Sequence, residues 1–189
     1  MKRLISLLLG LCVVFCIGGC SPDEPGETTA SVTPTETTEI PEFDLDEYMG
    51  NVELCLDSII EAEKELNYAY TYQISLWKSR DAMGLSPNYE KLISSTNDWL
   101  LEKKGYGLSK IESSYVIISE SYKQIVTTEI SGETASEIES ILKDLFDSYN
   151  GLYNLVLNPI GSRQDFSDNC QNFANSISLL ESELRIFLN

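Results

Sequence analysis

Histidine is absent from all 189 residues. That removes the commonest general base and the Ser-His and Cys-His nucleophile pairs. It also removes the Glu-x-x-His pairs of helical di-metal carboxylate sites. Basic residues are scarce: 13 Lys and Arg face 30 Asp and Glu, a formal net charge of −17. A chain this acidic repels phosphate backbones and anionic lipid heads, so nucleic acid is excluded as a partner. Of five cysteines, three fall within the first 20 residues, which leaves Cys55 and Cys170 for the rest. Two thiols without an imidazole form an incomplete ligand set, so no metal and no cofactor are expected. No glycine-rich phosphate cradle occurs, and no β-strand alternation is as long as the helical patterns.

The start of the chain reads MKRLISLLLGLCVVFCIGGC. Lys2 and Arg3 precede an apolar run, and Gly18 and Gly19 stand just before Cys20. Basic end, short apolar region and small-residue cleavage site are the three parts of a secretory signal. The run from Leu4 to Gly19 is 16 residues, short of the ~20 needed to span a bilayer. Its ending, Ile17-Gly18-Gly19-Cys20, resembles the lipobox of bacterial lipoprotein precursors, which are cut before the cysteine. The resemblance covers the first 20 residues only. It implies a signal peptide over 1–19, a diacylglycerol thioether on Cys20, and a cell-membrane location on the extracytoplasmic face. Two or more acyl chains hold a protein stably on a membrane where one does so only marginally. Without residues 1–19 the chain keeps 11 basic and 30 acidic side chains, a net −19.

Residues 21–43 contain four of the six prolines, six threonines, six acids and no base. Such a stretch buries too little apolar surface to offset its ordering entropy, so 20–43 is expected to be a lipidated, disordered linker. Its reach is about 25 Å as a flexible coil and ~70 Å if fully polyproline-like.

From residue 44 to residue 189 the pattern is helical. Leu45, Tyr48, Val52, Cys55, Ile59, Ala62, Leu66, Ala69, Gln73 and Leu76 alternate spacings of three and four, a coiled-coil-like seam. Asp44 with Glu47 predicts its cap, and Gly84 with Pro87 its end near Met83. Ser86-Pro87 predicts the start of a second helix. That helix continues through Leu92, Thr96, Trp99 or Leu100, then Ile111, Tyr115, Ile118, Tyr122 and Ile125 to Ser131-Gly132. Lys103-Lys104-Gly105-Tyr106-Gly107 interrupts it, each glycine costing ~1 kcal/mol in a helix interior. Leu100 and Ile111 are 11 residues apart and share a face, so one long, kinked helix is expected rather than two. Thr134 and Glu137 predict the cap of a third helix marked by Ile138, Leu142, Leu145, Tyr149, Leu152 and Val156. Ser162 with Asp165 predicts the cap of a fourth, marked by Phe166, Cys170, Phe173, Ile177, Leu180, Leu184 and Phe187. Short connections make neighbours antiparallel. The expected fold is all-α, an up-down-up-down four-helix bundle.

Cys55 and Cys170 both sit on core seams. With the last helix ending level with the turn near residues 130–133, the two cysteines stand at levels differing by ~6 Å at 1.5 Å per residue. A disulfide between them is then within reach, and two packed free thiols are the other reading.

Glu53, Asp57, Glu61, Glu63 and Glu65 lie mainly off the seam and read as a solvated face. Tyr68, Tyr72 and the seam residue Gln73 make the one candidate binding patch, since tyrosine brings contact area with a polar tip. The chain is therefore expected to be a non-catalytic envelope lipoprotein, with a membrane held through its lipid and an envelope protein as partner. A small-ligand module with a pocket between helices is the alternative. A carboxylate-only hydrolase comes third.

Overall fold

The computed structural model describes residues 45–188 except 129 and 131, and among them there are five α-helices and no strand. These are α1 (Leu45–Ala82), α2 (Tyr89–Lys104), α3 (Leu108–Thr127), α4 (Glu133–Leu157) and α5 (Arg163–Leu188). The expected signal peptide (1–19), Cys20, the expected linker (20–43) and Asp44 lie outside the described residues.

The helices form because each carries a seam that needs cover. Val52, Cys55, Ile59, Ala62, Leu66, Ala69 and Gln73 of α1 are all buried, as are all six expected marks of α4. On α5, Phe166, Cys170, Ile177 and Leu184 are buried, while Phe173, Leu180 and Phe187 pack at the margin. Leu45 is exposed, and Trp77 rather than Leu76 takes the last core position of α1.

Helix α1 is the central element, touching all four others. The ring of Tyr89 meets Trp77, the ring of Trp99 stacks on Tyr72, and the ammonium of Lys104 sits over Tyr68. Lys110 then pairs with Glu65. Residue numbers rise along α2 and α3 as they fall along α1, so both helices run antiparallel to it. Arg163 pairs with Asp81 and Arg185 with Asp57, each at 2.9 Å, so α5 is antiparallel to α1 as well. Helices α4 and α5 make the broadest contact of the molecule. There a Cβ on Gly151 would run into the ring of Phe173, so only glycine allows this approach.

The ends of the helices show which local signals hold. The stop of α1 closes as a Schellman motif: the Leu85 N–H donates to the Arg80 carbonyl and the Gly84 N–H to that of Asp81, both at 3.0 Å. The α5 start is the reciprocal box expected. The Asp165 N–H donates to Ser162 Oγ (3.1 Å), and the Ser162 hydroxyl donates to the Asp165 carboxylate (2.6 Å). Three expectations need correction. Asn88, not Ser86, caps α2, its side chain accepting the Lys91 N–H at 2.8 Å. Gly132 occupies the α4 cap with no side-chain bond, so Thr134 and Glu137 do not form a box there. The expected long kinked helix is two helices. Gly105 ends α2 in the left-handed region (φ 76°), where a chain carrying Cβ atoms resists entry. The Leu108 N–H that opens α3 is accepted by Asn97 Oδ1, from α2, at 3.0 Å. The joint is thus pinned by a side chain eleven residues back.

Candidate functional site

The expected patch does not converge on one surface. Tyr68 is about half exposed and carries the Lys104 ammonium 3.3 Å above its ring. Tyr72 stacks on Trp99 with centroids 4.8 Å apart. Gln73 is wholly buried on another face, its amide donating to the Val156 carbonyl of α4 at 2.9 Å. Tyr68 and Tyr72 thus serve the α1–α2 contact, and Gln73 is a core polar residue.

The two cysteines are buried free thiols. The expected levels were wrong because α5 ends near Asp57 rather than at the start of α1, as the Arg185–Asp57 pair fixes. With Arg163 at Asp81 and Arg185 at Asp57, Cys170 falls beside the stretch of α1 that holds Tyr70. Cys55 lies more than four turns away along α1, ~22 Å at 1.5 Å per residue. A disulfide needs Cα atoms within ~7 Å. Burial pushes the Cys55 thiol up to about 11 and that of Cys170 up to about 12, so both are inert as nucleophiles near neutrality.

Two surface features have the geometry to receive something. The first is a groove of about 230 Å³ between α1 and α3, lined by Ser58, Glu61, Glu65, Lys110, Ser114 and Ile117 over a floor of Ala62 and Ile118. The acidic face expected on α1 is therefore not uniformly solvated: Glu65 is only 7% exposed. One of its oxygens, Oε1, takes the Lys110 ammonium, and the other, Oε2, is buried without a partner. Leaving a buried acceptor unsatisfied costs on the order of 1–3 kcal/mol, more when it is charged. The Glu65 bond raises the Lys110 ammonium above its ordinary range and so keeps it protonated. On the inner side, burial raises the Tyr149 phenol, with smaller pushes from Tyr153, Tyr115 and Glu65, and its hydroxyl is also unpartnered. Tyr115 stacks on Tyr153 at 3.9 Å, and its hydroxyl donates to Asn150 Oδ1 at 2.8 Å.

The second feature is at the end of the bundle remote from Leu45. A hollow of about 530 Å³ lies between the start of α2 and the α4–α5 turn, lined by Tyr89, Ile93, Leu157, Pro159 and Ile160. The Tyr89 hydroxyl donates to the Gly161 carbonyl at 2.9 Å and ties the two sides together. Ile160 is 65% exposed and Met83, in the adjoining α1–α2 turn, 64%. Leu85 and Tyr89 are partly exposed beside them. Four large apolar side chains are thus exposed at one end of the bundle.

Among the described residues no group of three or more potential metal ligands comes together. No described helix is long and apolar enough to cross a membrane. Comparison with protein-family models, curated proteins and solved structures finds no match to this chain. Sequence reasoning missed both the tip and Glu65. Glu65 precedes a seam residue, Leu66, and its burial follows from α1 being covered on more than one side, which heptad spacing alone does not reveal.

Proposed function

We propose that this chain is a lipid-anchored, extracytoplasmic interaction module with no catalytic role, and that the apolar tip is the surface it presents to an envelope protein. The supporting observation is the position of the tip: Met83, Leu85, Tyr89 and Ile160 stand at the far end of α1 from Leu45. A tether at one end of a rod leaves the other end to meet a partner. The rods in this reading are four, up-down-up-down, with α2 and α3 in line as one broken member. The antiparallel pairings of α2, α3 and α5 on α1 support that arrangement. The anchor rests on Ile17-Gly18-Gly19-Cys20, where only the cysteine thiol can carry the thioether.

Two measurements test the reading. Cys20→Ser moves the chain out of the membrane fraction and abolishes incorporation of a labelled fatty acid. Unchanged fractionation and labelling would refute the anchor. A photo-crosslinking residue placed at Met83 or Ile160 in cells yields a discrete adduct with one envelope protein, which Leu85→Asp abolishes. The same residue at Lys143, an exposed position on α4, yields none. Equal adducts from all three positions, or none from the tip, would refute the interaction surface.

A further inference from the structure

Charge is unevenly spread along the bundle. Residues 76–95 and 151–169 make up the end that carries the tip. There Lys78, Arg80, Lys91 and Arg163 balance Asp81, Glu90, Asp165 and Asp168, so that end is neutral. The other residues between 45 and 188 hold 7 bases and 19 acids, a net −12. Two copies of this chain therefore repel one another along their flanks but not at the tip. We propose, on the reading that the tip is an interaction surface, that its partner is a second copy of this chain, docked end to end through Met83, Leu85 and Ile160.

The shape of the tip suits a contact with itself. Its two turns are held together, Asp81 pairing with Arg163 and the Tyr89 hydroxyl donating to the Gly161 carbonyl, each at 2.9 Å. Between them lies the hollow of about 530 Å³ lined by Tyr89, Ile93, Leu157 and Pro159, with Ile160 standing exposed on its wall. A two-fold contact places the same patch on both sides, so each copy brings exposed apolar side chains and a hollow to receive them. A neutral end does nothing to steer a charged protein toward it, and a cationic partner would be drawn to the acidic flanks instead. A second neutral, apolar end covers the first without stranding a charge.

Docking end to end also keeps the flanks apart. The 38 residues of α1 make a rod ~57 Å long at 1.5 Å per residue, several times the Debye length of ~8 Å at physiological ionic strength. Four helices each ~10 Å across give an end of roughly 20 by 20 Å, so two ends cover about 800 Å² in total. That is below the ~1,200 Å² at which stable complexes begin. The contact is therefore reversible, and trapping is the way to see it.

Two full chains that differ only in their epitope tags are co-expressed, with a photo-crosslinking residue at Met83. An adduct of twice the chain's mass that carries both tags is expected, with none when the crosslinker stands at Lys143. Ile160→Asp alters an exposed side chain and sets a charge inside the contact. It should lower the doubly tagged adduct by at least about tenfold, with the melting temperature retained. In isolated membranes, raising salt from about 50 to about 500 mM should leave that adduct unchanged or increase it, because flank repulsion is screened. A tip adduct holding one tag and a different protein overturns the second copy and leaves the tip as an interaction surface. An adduct with lipid alone, or no adduct from the tip, overturns both. A doubly tagged adduct that is unchanged in Ile160→Asp, or that falls as salt rises, overturns the end-to-end contact.

Discussion

The α4–α5 pair and the α2–α3 arm meet the same central helix in different ways. Between α4 and α5 the contact is apolar and close: Gly151 admits the ring of Phe173, and the turn is capped by its own residues, Ser162 and Asp165. Along the arm the chain breaks at Gly105, takes a cap from Asn97 of the preceding helix, and buries Thr96 with its hydroxyl on the Leu92 carbonyl. It also leaves Val116 and Ile117 more than half exposed. The α4–α5 side is held by close apolar contact and a cap closed within its own turn. The α2–α3 arm is joined by a side chain from another helix, and the Lys110–Glu65 pair lies just beyond that joint. Loss of a cap is therefore expected to stay local on the first side and to spread on the second.

The largest expected effect lies where α5 meets α1. Phe166 is completely buried, with its ring centroid 5.9 Å from that of Trp77. Phe166→Ala should destabilise the fold by about 3–5 kcal/mol, through lost transfer energy and the cavity left behind. Chemical denaturation of the bundle measures this. A loss below about 1 kcal/mol would mean that this end collapses freely and that the contrast drawn between the two sides is overstated.

The next effect concerns the thiols, one near each end of α1. Burial raises Cys55 from 9.0 to about 11 and Cys170 from 9.0 to about 12. A proton is therefore held in the folded state at a pH where the unfolded chain releases it. The stabilisation is complete below the unfolded value near 9 and is lost as pH rises toward the folded values. Between pH 9 and 10 the cysteines share the slope with the tyrosines that burial raises, Tyr48 and Tyr149 among them, whose ordinary value is 10.0. Stability should fall there by up to roughly 1.4 kcal/mol per pH unit per thiol. Replacing both cysteines by alanine should make the profile in that window clearly shallower, leaving the tyrosine part. An equally shallow profile in the unsubstituted chain, with no thiol titratable after denaturation, would point instead to a bond between them.

The contrast also explains what could be read from the residues alone. The seams of α1 and α4 were legible because apolar residues at spacings of three and four admit one solution, a buried stripe. The Ser162–Asp165 box was legible because its partners are three residues apart. The joint between α2 and α3 was not, because heptad phase carried across Gly105 while backbone conformation did not, and the cap comes from a residue remote in sequence. Levels along the bundle failed for a related reason. Where α5 ends is set by Arg163–Asp81 and Arg185–Asp57, pairs separated by 82 and 128 residues, and this misplaced Cys170 against Cys55. Glu65 escaped notice because a helix covered from several sides buries its flanking positions as well as its seam. Tyr68, Tyr72 and Gln73 are neighbours in sequence, yet the helical turn sends them to different helices.

The smallest effect is the sharpest test of the contrast. Ser162 and Asn97 each satisfy the first turn of a helix, one from within and one from another helix. Replacing either by alanine should cost about 1 kcal/mol, the ordinary value of a lost cap. The consequences should differ in extent. Ser162→Ala frees the start of α5 and nothing beyond it, because the box is closed by Asp165 alone. Asn97→Ala releases the Leu108 N–H and slackens the joint that places Lys110, two residues on, against Glu65. Amide exchange should therefore quicken over residues 108–111 together with the neighbouring turn of α1 in Asn97→Ala, and only over residues 163–166 in Ser162→Ala. Equal, local fraying in both would show that the α2–α3 joint is held by packing, with Asn97 incidental to the position of Lys110.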